Sequence, residues 1–250
     1  MFEESYNLQS NSTKKETKEI NDLSKKIRSS LIPDKELPNN LGIYLTRQNL
    51  SRINFIQEIY KLILPVHGSI VEFGVRWGQN LCLFSSLRGI HEPYNYNRKI
   101  LGFDTFNGFP SLDDKDSLGL SVGDYSIDRN WKNDLEDILD FHNMNSPIPH
   151  IKKYELIEGD ASKTFPKYLS ENPETIISLA YFDFDIYKPT HDCLKALLPH
   201  LTKGSVLAFD ELNVAEFRGE TIALSEVIGL SKYSIKRFPF SPLTSYLVIE

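Results

Sequence analysis

Two apolar segments in the second half of the chain each end in acidic residues, and they constrain the fold more than any other feature. Ile176–Asp183 is followed by Asp185, and Ser205–Asp210 is followed by Glu211. Nearly continuous apolar runs of this length are typical of strands buried on both faces of a parallel sheet. One helix-length segment separates them, so a crossover connection would bring both carboxyl-terminal ends to one sheet edge. The sequence therefore predicts facing carboxylates at the edge where open α/β sheets bind ligands.

The rest of the chain continues the alternation of short apolar strands with helix-length segments. Strands are predicted at Ser69–Phe73, at Ile100–Phe103 and at Tyr154–Glu158. Two last runs, Ser234–Phe238 and Thr244–Ile249, surround a proline-containing turn and are typical of a terminal hairpin. Helices are predicted at about 49–64, after Gly78, at about 128–141, after a cap at Thr190, and at 221–230. This order predicts one doubly wound α/β sheet.

Composition and charge narrow the functional class. The chain has 250 residues, 40% of them hydrophobic, and a formal net charge of −6, which argues against a general nucleic-acid binder. It lacks a signal-peptide pattern and an apolar run of membrane-spanning length, so we expect a cytoplasmic protein that does not enter membranes. We expect a polar arm or peripheral helix at 1–41 and one domain at 42–250, with an acceptor-binding insertion or lid at 111–150.

A glycine turn leaves the first strand and enters a helix. In Glu72-Phe73-Gly74-Val75-Arg76-Trp77-Gly78, Gly74 permits a tight turn and Gly78 permits a close approach of ligand and backbone. The spacing differs from the Gly-x-Gly-x2-Gly pattern of dinucleotide-binding folds. Asp104, at the end of the second strand, could accept hydrogen bonds from ribose hydroxyls. Asp160, after the third, could meet an adenine amino group or cap the following helix. Acids at successive strand ends favour a nucleoside ligand.

The acids of the fourth and fifth strands have the composition of a site for a hard divalent cation. Asp183, Asp210 and Glu211 offer only oxygen ligands, which suits Mg²⁺ or Ca²⁺ better than zinc, and Asp185 ranks below them. A cation held there could polarise a substrate hydroxyl and lower its pKa. His191 is more often a structural residue than a base in such a position.

Five segments together resemble a known family. They are Val71–Gly78, Gly102–Pro110, Asp183–Thr190, Phe209–Glu211 and Phe217–Ala223. In this order they resemble the macrocin O-methyltransferase (TylF/MycF-type) family of S-adenosylmethionine-dependent class I methyltransferases. The resemblance covers about residues 42–250.

The resemblance implies a Rossmann-like fold with a seven-stranded, mostly parallel sheet and an antiparallel last strand. It implies catalytic roles, through the metal, for Asp183 and Asp210. It also implies Mg²⁺ bound by Asp183, Asp210 and Glu211, where Glu211 stands in place of the family's more common Asp. The implied contacts to S-adenosylmethionine come from Glu72, Phe73, Gly74, Gly78, Asp104, Thr105, Asp160, Ala161 and Asp183.

The expected activity is therefore a Mg²⁺-dependent methyl transfer to a hydroxyl of a sugar or another small metabolite. A homodimer would be compatible with the polar arm. Two alternatives stay open from the residues alone. One is a different adenosine- or dinucleotide-dependent α/β enzyme, such as a dehydrogenase. The other is a non-catalytic binding subunit with a methyltransferase fold.

Overall fold

The structure, a computed structural model, describes residues 13–250, which fall into two compact units divided between Ile53 and Asn54. The first unit contains helix α1 (Lys14–Arg28) and a 3-10 helix at Leu37–Tyr44. Thr13 begins α1 with a capping box, in which its hydroxyl accepts the N–H of Glu16 and the Glu16 carboxylate accepts the N–H of Thr13. None of the α1 side chains is buried, so these end contacts stabilise a polar helix. The predicted arm at 1–41 lies partly outside the described residues.

The second unit is built around one six-stranded sheet. The strands are β1 (Ser69–Phe73), β2 (Ile100–Asp104), β3 (Tyr154–Glu158), β4 (Ile177–Phe182), β5 (Leu201–Phe209) and β6 (Ser245–Val248). Their order is β3-β2-β1-β4-β5-β6, with β6 antiparallel to β5 and the other pairs parallel. The order reverses direction between β1 and β4. This reversal opens a crevice at the carboxyl ends of the strands, where ligands of such sheets bind.

Helices cover both faces of this sheet and confirm the doubly wound prediction. The helices are α2 (Arg47–Leu62), α3 (Gln79–His91), α4 (Trp131–Met144), α5 (Ala161–Glu171), α6 (Tyr187–Leu197) and α7 (Arg218–Val227). One core layer includes Phe84 and Tyr181, and the other includes Phe165 and Phe182. Neighbouring β4 residues therefore point to opposite cores, as period-two alternation requires. Within residues 13–250, no helix combines the length and apolarity needed to cross a bilayer.

Two details of the predicted fold are corrected. The described residues form six strands, not seven, because Ser234–Phe238 contributes a single antiparallel bridge between Lys236 and Tyr246. Prolines follow within a few residues, and a proline has no N–H to extend a ladder. Helix α6 also begins at Tyr187, before Thr190, whose hydroxyl donates to the carbonyl of Ile186 at 2.7 Å inside the first turn.

Candidate active site

The turn after β1 is a close contact between the two strands at the centre of the sheet. Gly74 has φ +87°, and a Cβ built there would lie 2.0 Å from the carbonyl oxygen of Asp183. The N–H of Gly74 donates to Phe103 at 3.0 Å, and the N–H of Asp183 donates to Phe73 at 2.8 Å. Glycine is required both by the backbone angle and by the lack of space. The turn is thereby fixed against the first acid of the β4 end.

Asp104 braces this turn from the end of β2. One carboxylate oxygen accepts the N–H of Val75 at 2.7 Å and of Arg76 at 2.8 Å, and the other accepts the N–H of Phe106 at 2.6 Å. Burial raises the pKa of the Asp104 carboxyl, although the three amide donors oppose the rise. The residue predicted to meet the ribose therefore has a structural task that the sequence did not indicate.

Other residues predicted to contact S-adenosylmethionine lie around the turn. Glu72 is buried at the end of β1 and accepts a hydrogen bond from the Asn80 amide at 2.9 Å. Phe73 and Ala161 point into the core beneath the sheet, so only their backbone could face a ligand. A Cβ at Gly78 would lie 2.3 Å from the side chain of Leu135. Packing against α4 therefore leaves no room for a side chain at this position.

Asp160 and Thr105 occupy the ends of β3 and β2. The Asp160 carboxylate accepts the N–H of Ser162 at 3.0 Å and so caps helix α5, which is one of its two predicted roles. It also pairs with Lys163 at 3.1 Å, and the Ser162 and Lys163 contacts lower its pKa against the opposing effect of burial. The Thr105 hydroxyl donates to the carbonyl of Gly108 at 2.6 Å and holds the loop that leaves β2.

The acids that follow β4 and β5 lie together at the same edge. Asp210 is buried, and its carboxylate accepts the hydroxyl of Tyr181 from the neighbouring strand. Asp185 is buried as well and has φ +64°, a left-handed angle that non-glycine residues rarely adopt. Its carboxyl contacts that of Glu211, which joins the two strand ends. Asp185 ranks below the other acids as a predicted metal ligand, but in the structure it is buried like Asp210 and lies in the same group.

Mutual repulsion and burial keep protons on part of this group. Burial, followed by the charge of Asp210, raises the pKa of Glu211 to about 8. Burial and the neighbouring Glu211 likewise raise the pKa of Asp185 well above its ordinary range. Neighbouring carboxyl groups that cannot all ionise share a proton, and the contact between Asp185 and Glu211 allows such sharing. The charge of Arg76 lowers the pKa of Asp185 but does not offset these effects.

The donor atoms of this group suit a hard divalent cation. The Oε2 atom of Glu211 is buried without a hydrogen-bond partner, and the surrounding donors are carboxylate oxygens. No set of three such side chains among residues 13–250 already has the arrangement of a metal site. Carboxylate oxygens fit Mg²⁺ chemically, but their positions in residues 13–250 do not form a coordination geometry.

Sequence reasoning missed two residues that structure this edge. Glu220, on α7, is fully buried and accepts backbone N–H groups from both acid-bearing loops. It lies in Phe217–Ala223, one of the five segments that resemble the family, although nothing in that segment indicates that Glu220 is buried. Tyr125, with φ +64°, lies over the Arg76 guanidinium at 4.8 Å. Burial and the charges of the acid group raise its pKa.

Solved structures with the same architecture identify the class of protein. The chain is similar to the crystal structure of CalS11, a calicheamicin methyltransferase, with 41% identity and a TM-score of 0.92 over 95% of this chain and 93% of that one. It is also similar to the apo structure of CalS11, described as a TDP-rhamnose 3'-O-methyltransferase, with 39% identity and a TM-score of 0.84 over 95% of each chain. The chain belongs to the macrocin O-methyltransferase (TylF/MycF-type) family. It is an S-adenosylmethionine-dependent O-methyltransferase.

Other comparisons add only the fold. The O-methyltransferase NovP matches this methyltransferase at 18% identity and a TM-score of 0.58, over 80% of each chain. No protein-family model and no curated protein sequence matches the chain.

In this methyltransferase, the segment between β2 and α4 contains a loop whose two ends are joined by backbone hydrogen bonds. The N–H of Phe109 donates to the carbonyl of Asp124, and the N–H of Gly123 donates to the carbonyl of Phe109, each at 3.0 Å. The tip of this loop carries Leu118 and Val122, which are both exposed. The 109–124 loop is thus a closed surface loop of the kind that often carries function.

One side of the 109–124 loop is attached to the helices that follow the acids. The Arg218 guanidinium donates to the carbonyls of residues 114, 115 and 116 at 2.6–3.2 Å. The buried Asp116 carboxylate accepts the N–H of Tyr187 at 2.6 Å. Lys115 pairs with Glu226 at 2.8 Å. The Ser117 hydroxyl donates to the carbonyl of Ala215 at 3.0 Å. These contacts fix residues 114–117 and leave 118–122 as the tip of the predicted insertion.

The acid group should make the stability of the methyltransferase depend on pH. Glu211 has a pKa of about 8 in the folded protein against an ordinary value of 4.5, so between these values the folded state binds a proton that the unfolded chain has lost. This stabilisation is complete below pH 4.5 and is lost as the pH rises through 8. We expect the free energy of unfolding, measured by denaturant titration without divalent cations, to fall across this range.

Glu211→Gln is the matched variant for this pH dependence, because glutamine stays neutral at every pH. It should reduce the slope of stability against pH, while Glu216→Gln, an exposed acid in the same region, should leave the slope unchanged. An equal slope in wild type and Glu211→Gln would contradict the proton assigned to this carboxyl.

Proposed function

We propose that this protein transfers the methyl group of S-adenosylmethionine to a hydroxyl of a sugar, with Mg²⁺ bound by Asp183, Asp210 and Glu211. The observation that carries the proposal is the likeness to CalS11, a TDP-rhamnose 3'-O-methyltransferase, over nearly the whole of both chains. The acid group at the same sheet edge as the glycine turn supports it. A nucleotide-linked deoxysugar is accordingly the first candidate acceptor.

The donor would lie over the turn after β1. Gly74 and Gly78 would offer backbone, Asp104 and Thr105 would face the ribose, and Asp160 with Ala161 would border the adenine. Asp104 fits this assignment because its bonds to Val75 and Arg76 set the turn before any donor arrives. Preorganisation of this kind reduces the cost of binding.

The acceptor would lie between the donor and the acids. The methyl group must pass in line from sulfur to oxygen, so the protein has to hold both partners near attack distance and exclude water. Asp183 suits this task, because its backbone contacts the donor turn while its side chain belongs to the acid group. A bound Mg²⁺ would lower the pKa of the acceptor hydroxyl. The tip of the 109–124 loop would cover the acceptor from the solvent side.

Calorimetry and a methylation assay test this proposal in two steps. Titration with S-adenosylmethionine should give saturable binding, whereas NAD and NADP should give none. Incubation with S-adenosylmethionine and TDP-rhamnose should yield a methylated product by mass spectrometry, and chelation of divalent cations should slow its formation. Asp183→Asn should lose at least about a hundredfold in rate if the acid group activates the hydroxyl.

The outcomes separate the parts of the proposal. Donor binding without product would reject TDP-rhamnose as the acceptor, and a panel of other sugar nucleotides would follow. A rate that is insensitive to chelation and to added Mg²⁺ would reject the metal. Asp114→Asn, an exposed acid outside the acid group, serves as the control for the loss of one negative charge.

A further inference from the structure

Glu220 lies at the start of α7 and connects the two loops that carry the acids. It is fully buried. Its Oε1 atom accepts the N–H of Phe184 at 3.1 Å and of Asp185 at 3.4 Å, and its Oε2 atom accepts the N–H of Glu211 at 3.4 Å. Phe184 and Asp185 follow β4, and Glu211 follows β5. One carboxylate thus spans the two strand ends whose spacing determines the shape of the acid group.

The backbone that Glu220 holds includes a left-handed residue. Asp185 has φ +64°, an angle that few non-glycine residues other than asparagine and aspartate adopt, and the contacts around Asp185 stabilise it. The accepted N–H of Asp185 is one of those contacts. The Asp185 side chain in turn reaches the Glu211 carboxyl. Loss of the Glu220 carboxylate would therefore release the backbone on both sides of this carboxyl pair.

The first turn of α7 is closely packed against its neighbours. A Cβ at Gly219 would lie 2.4 Å from the backbone nitrogen of Tyr187 and 2.6 Å from the Asp116 carboxylate. That carboxylate accepts the same Tyr187 N–H. Helix α7, the loop after β4 and the 109–124 loop therefore meet at one close contact, next to which Glu220 enters the acid group.

Electrostatics alone would not place an acid here. Burial, followed by the charges of Asp185, Asp183 and Asp210, raises the pKa of Glu220 well above its ordinary range. A hydrophobic or amide side chain would avoid this repulsion. Two oxygens that both accept N–H groups are a property that a carboxyl side chain has and a glutamine side chain lacks.

We propose that Glu220 is a positioning residue of the methyl-transfer site, which fixes the distance between the acid-bearing ends of β4 and β5 without contacting donor or acceptor. The catalytic part of this proposal rests on the proposed function, whereas the structural part does not. Glu220 should therefore affect the methyl-transfer step and the ordering of these loops more than it affects donor binding.

The test compares Glu220→Gln with Glu216→Gln, which removes an exposed acid from the turn before α7. In Glu220→Gln, one oxygen becomes an NH₂ group that faces a backbone donor. Hydrogen exchange followed by NMR should show protection lost by about tenfold or more at the N–H groups of Phe184, Asp185 and Glu211. The Kd for S-adenosylmethionine should stay within about twofold, and kcat with TDP-rhamnose should fall by about tenfold or more with little change in the donor KM. Glu216→Gln should match wild type in each measurement.

Each result decides the proposal. Unchanged protection at the three N–H groups in Glu220→Gln would overturn it, whatever happens to the rate. Donor affinity and kcat that fall together would also overturn it, since they would indicate general damage to the fold. If wild type does not methylate TDP-rhamnose, the proposed acceptor fails, and exchange and donor binding still test Glu220. Glu220→Asp, with a shorter side chain and the same charge, should lose protection at the same N–H groups and guards against poor folding of the glutamine variant.

Discussion

Gly74→Ala is expected to disrupt the centre of the candidate active site. The new Cβ would lie 2.0 Å from the Asp183 carbonyl oxygen, which is backbone and cannot rotate away, and the φ of +87° is strained for any residue with a side chain. Separation of β1 from β4 at this point should cost about 3–5 kcal/mol. The midpoint of thermal unfolding should fall by about 10 °C or more, and binding of S-adenosylmethionine measured by calorimetry should be lost.

Gly89→Ala is the matched control. Gly89 lies within α3 (Gln79–His91), and no atom lies within 4 Å of a Cβ built there. Alanine favours a helix over glycine by up to about 1 kcal/mol, so this variant should be as stable as wild type or more stable. A Gly74→Ala protein that melts with Gly89→Ala and binds the donor would contradict the close contact between the turn and Asp183.

Asp104→Asn should weaken both the turn and donor binding. An asparagine keeps the size of the side chain and retains one acceptor oxygen, while its NH₂ group would face at least one of the N–H groups of Val75, Arg76 and Phe106. The loss should be about 1–3 kcal/mol of stability without ligand. Donor affinity should fall by about tenfold or more, measured by calorimetry, because the turn is less well ordered before binding.

Stability and affinity together separate the two roles of Asp104. If Asp104 only contacted the ribose, the Asp104→Asn protein would bind S-adenosylmethionine more weakly and keep the wild-type melting temperature. A residue that only braced the turn would lose stability, and its affinity loss would follow from that disorder. Asp114→Asn, on the exposed side of the 109–124 loop, should change neither quantity. An Asp104→Asn protein with wild-type stability would contradict the bracing role.

The regular part of the fold follows from local sequence. Ser69–Phe73 and Tyr154–Glu158 have the predicted boundaries. The first is a mostly apolar run that is buried throughout, and the second combines apolar residues with two exposed glutamates, which suits a strand at the edge of a sheet. The acids at the strand ends were predictable as well, since parallel strands bring their carboxyl ends to one edge. Family and fold could thus be predicted before any coordinates, and the location of the site stays a prediction.

The contacts that shape the site depend on residues far apart in the chain. Glu220 contacts Phe184 from 36 positions away, and no local pattern distinguishes it from an ordinary first-turn acid of a helix. The bond from Val75 to Asp104 likewise joins separate βα units. Aspartate tolerates the left-handed angle of Asp185 better than most residues do, but the tertiary contacts around that angle could not be predicted from local sequence. Tertiary contacts of this kind are invisible to periodicity and to residue spacing.

The closed base of the 109–124 loop has a consequence for how such enzymes diversify. The hydrogen bonds at its base and those from Arg218 to residues 114–116 use backbone groups of the loop, so they do not depend on the side chains at the tip. We therefore expect residues 118–122 to accept other side chains while the fold is retained. New acceptor preferences could arise there at little thermodynamic risk, which makes the tip the natural place to graft segments between relatives.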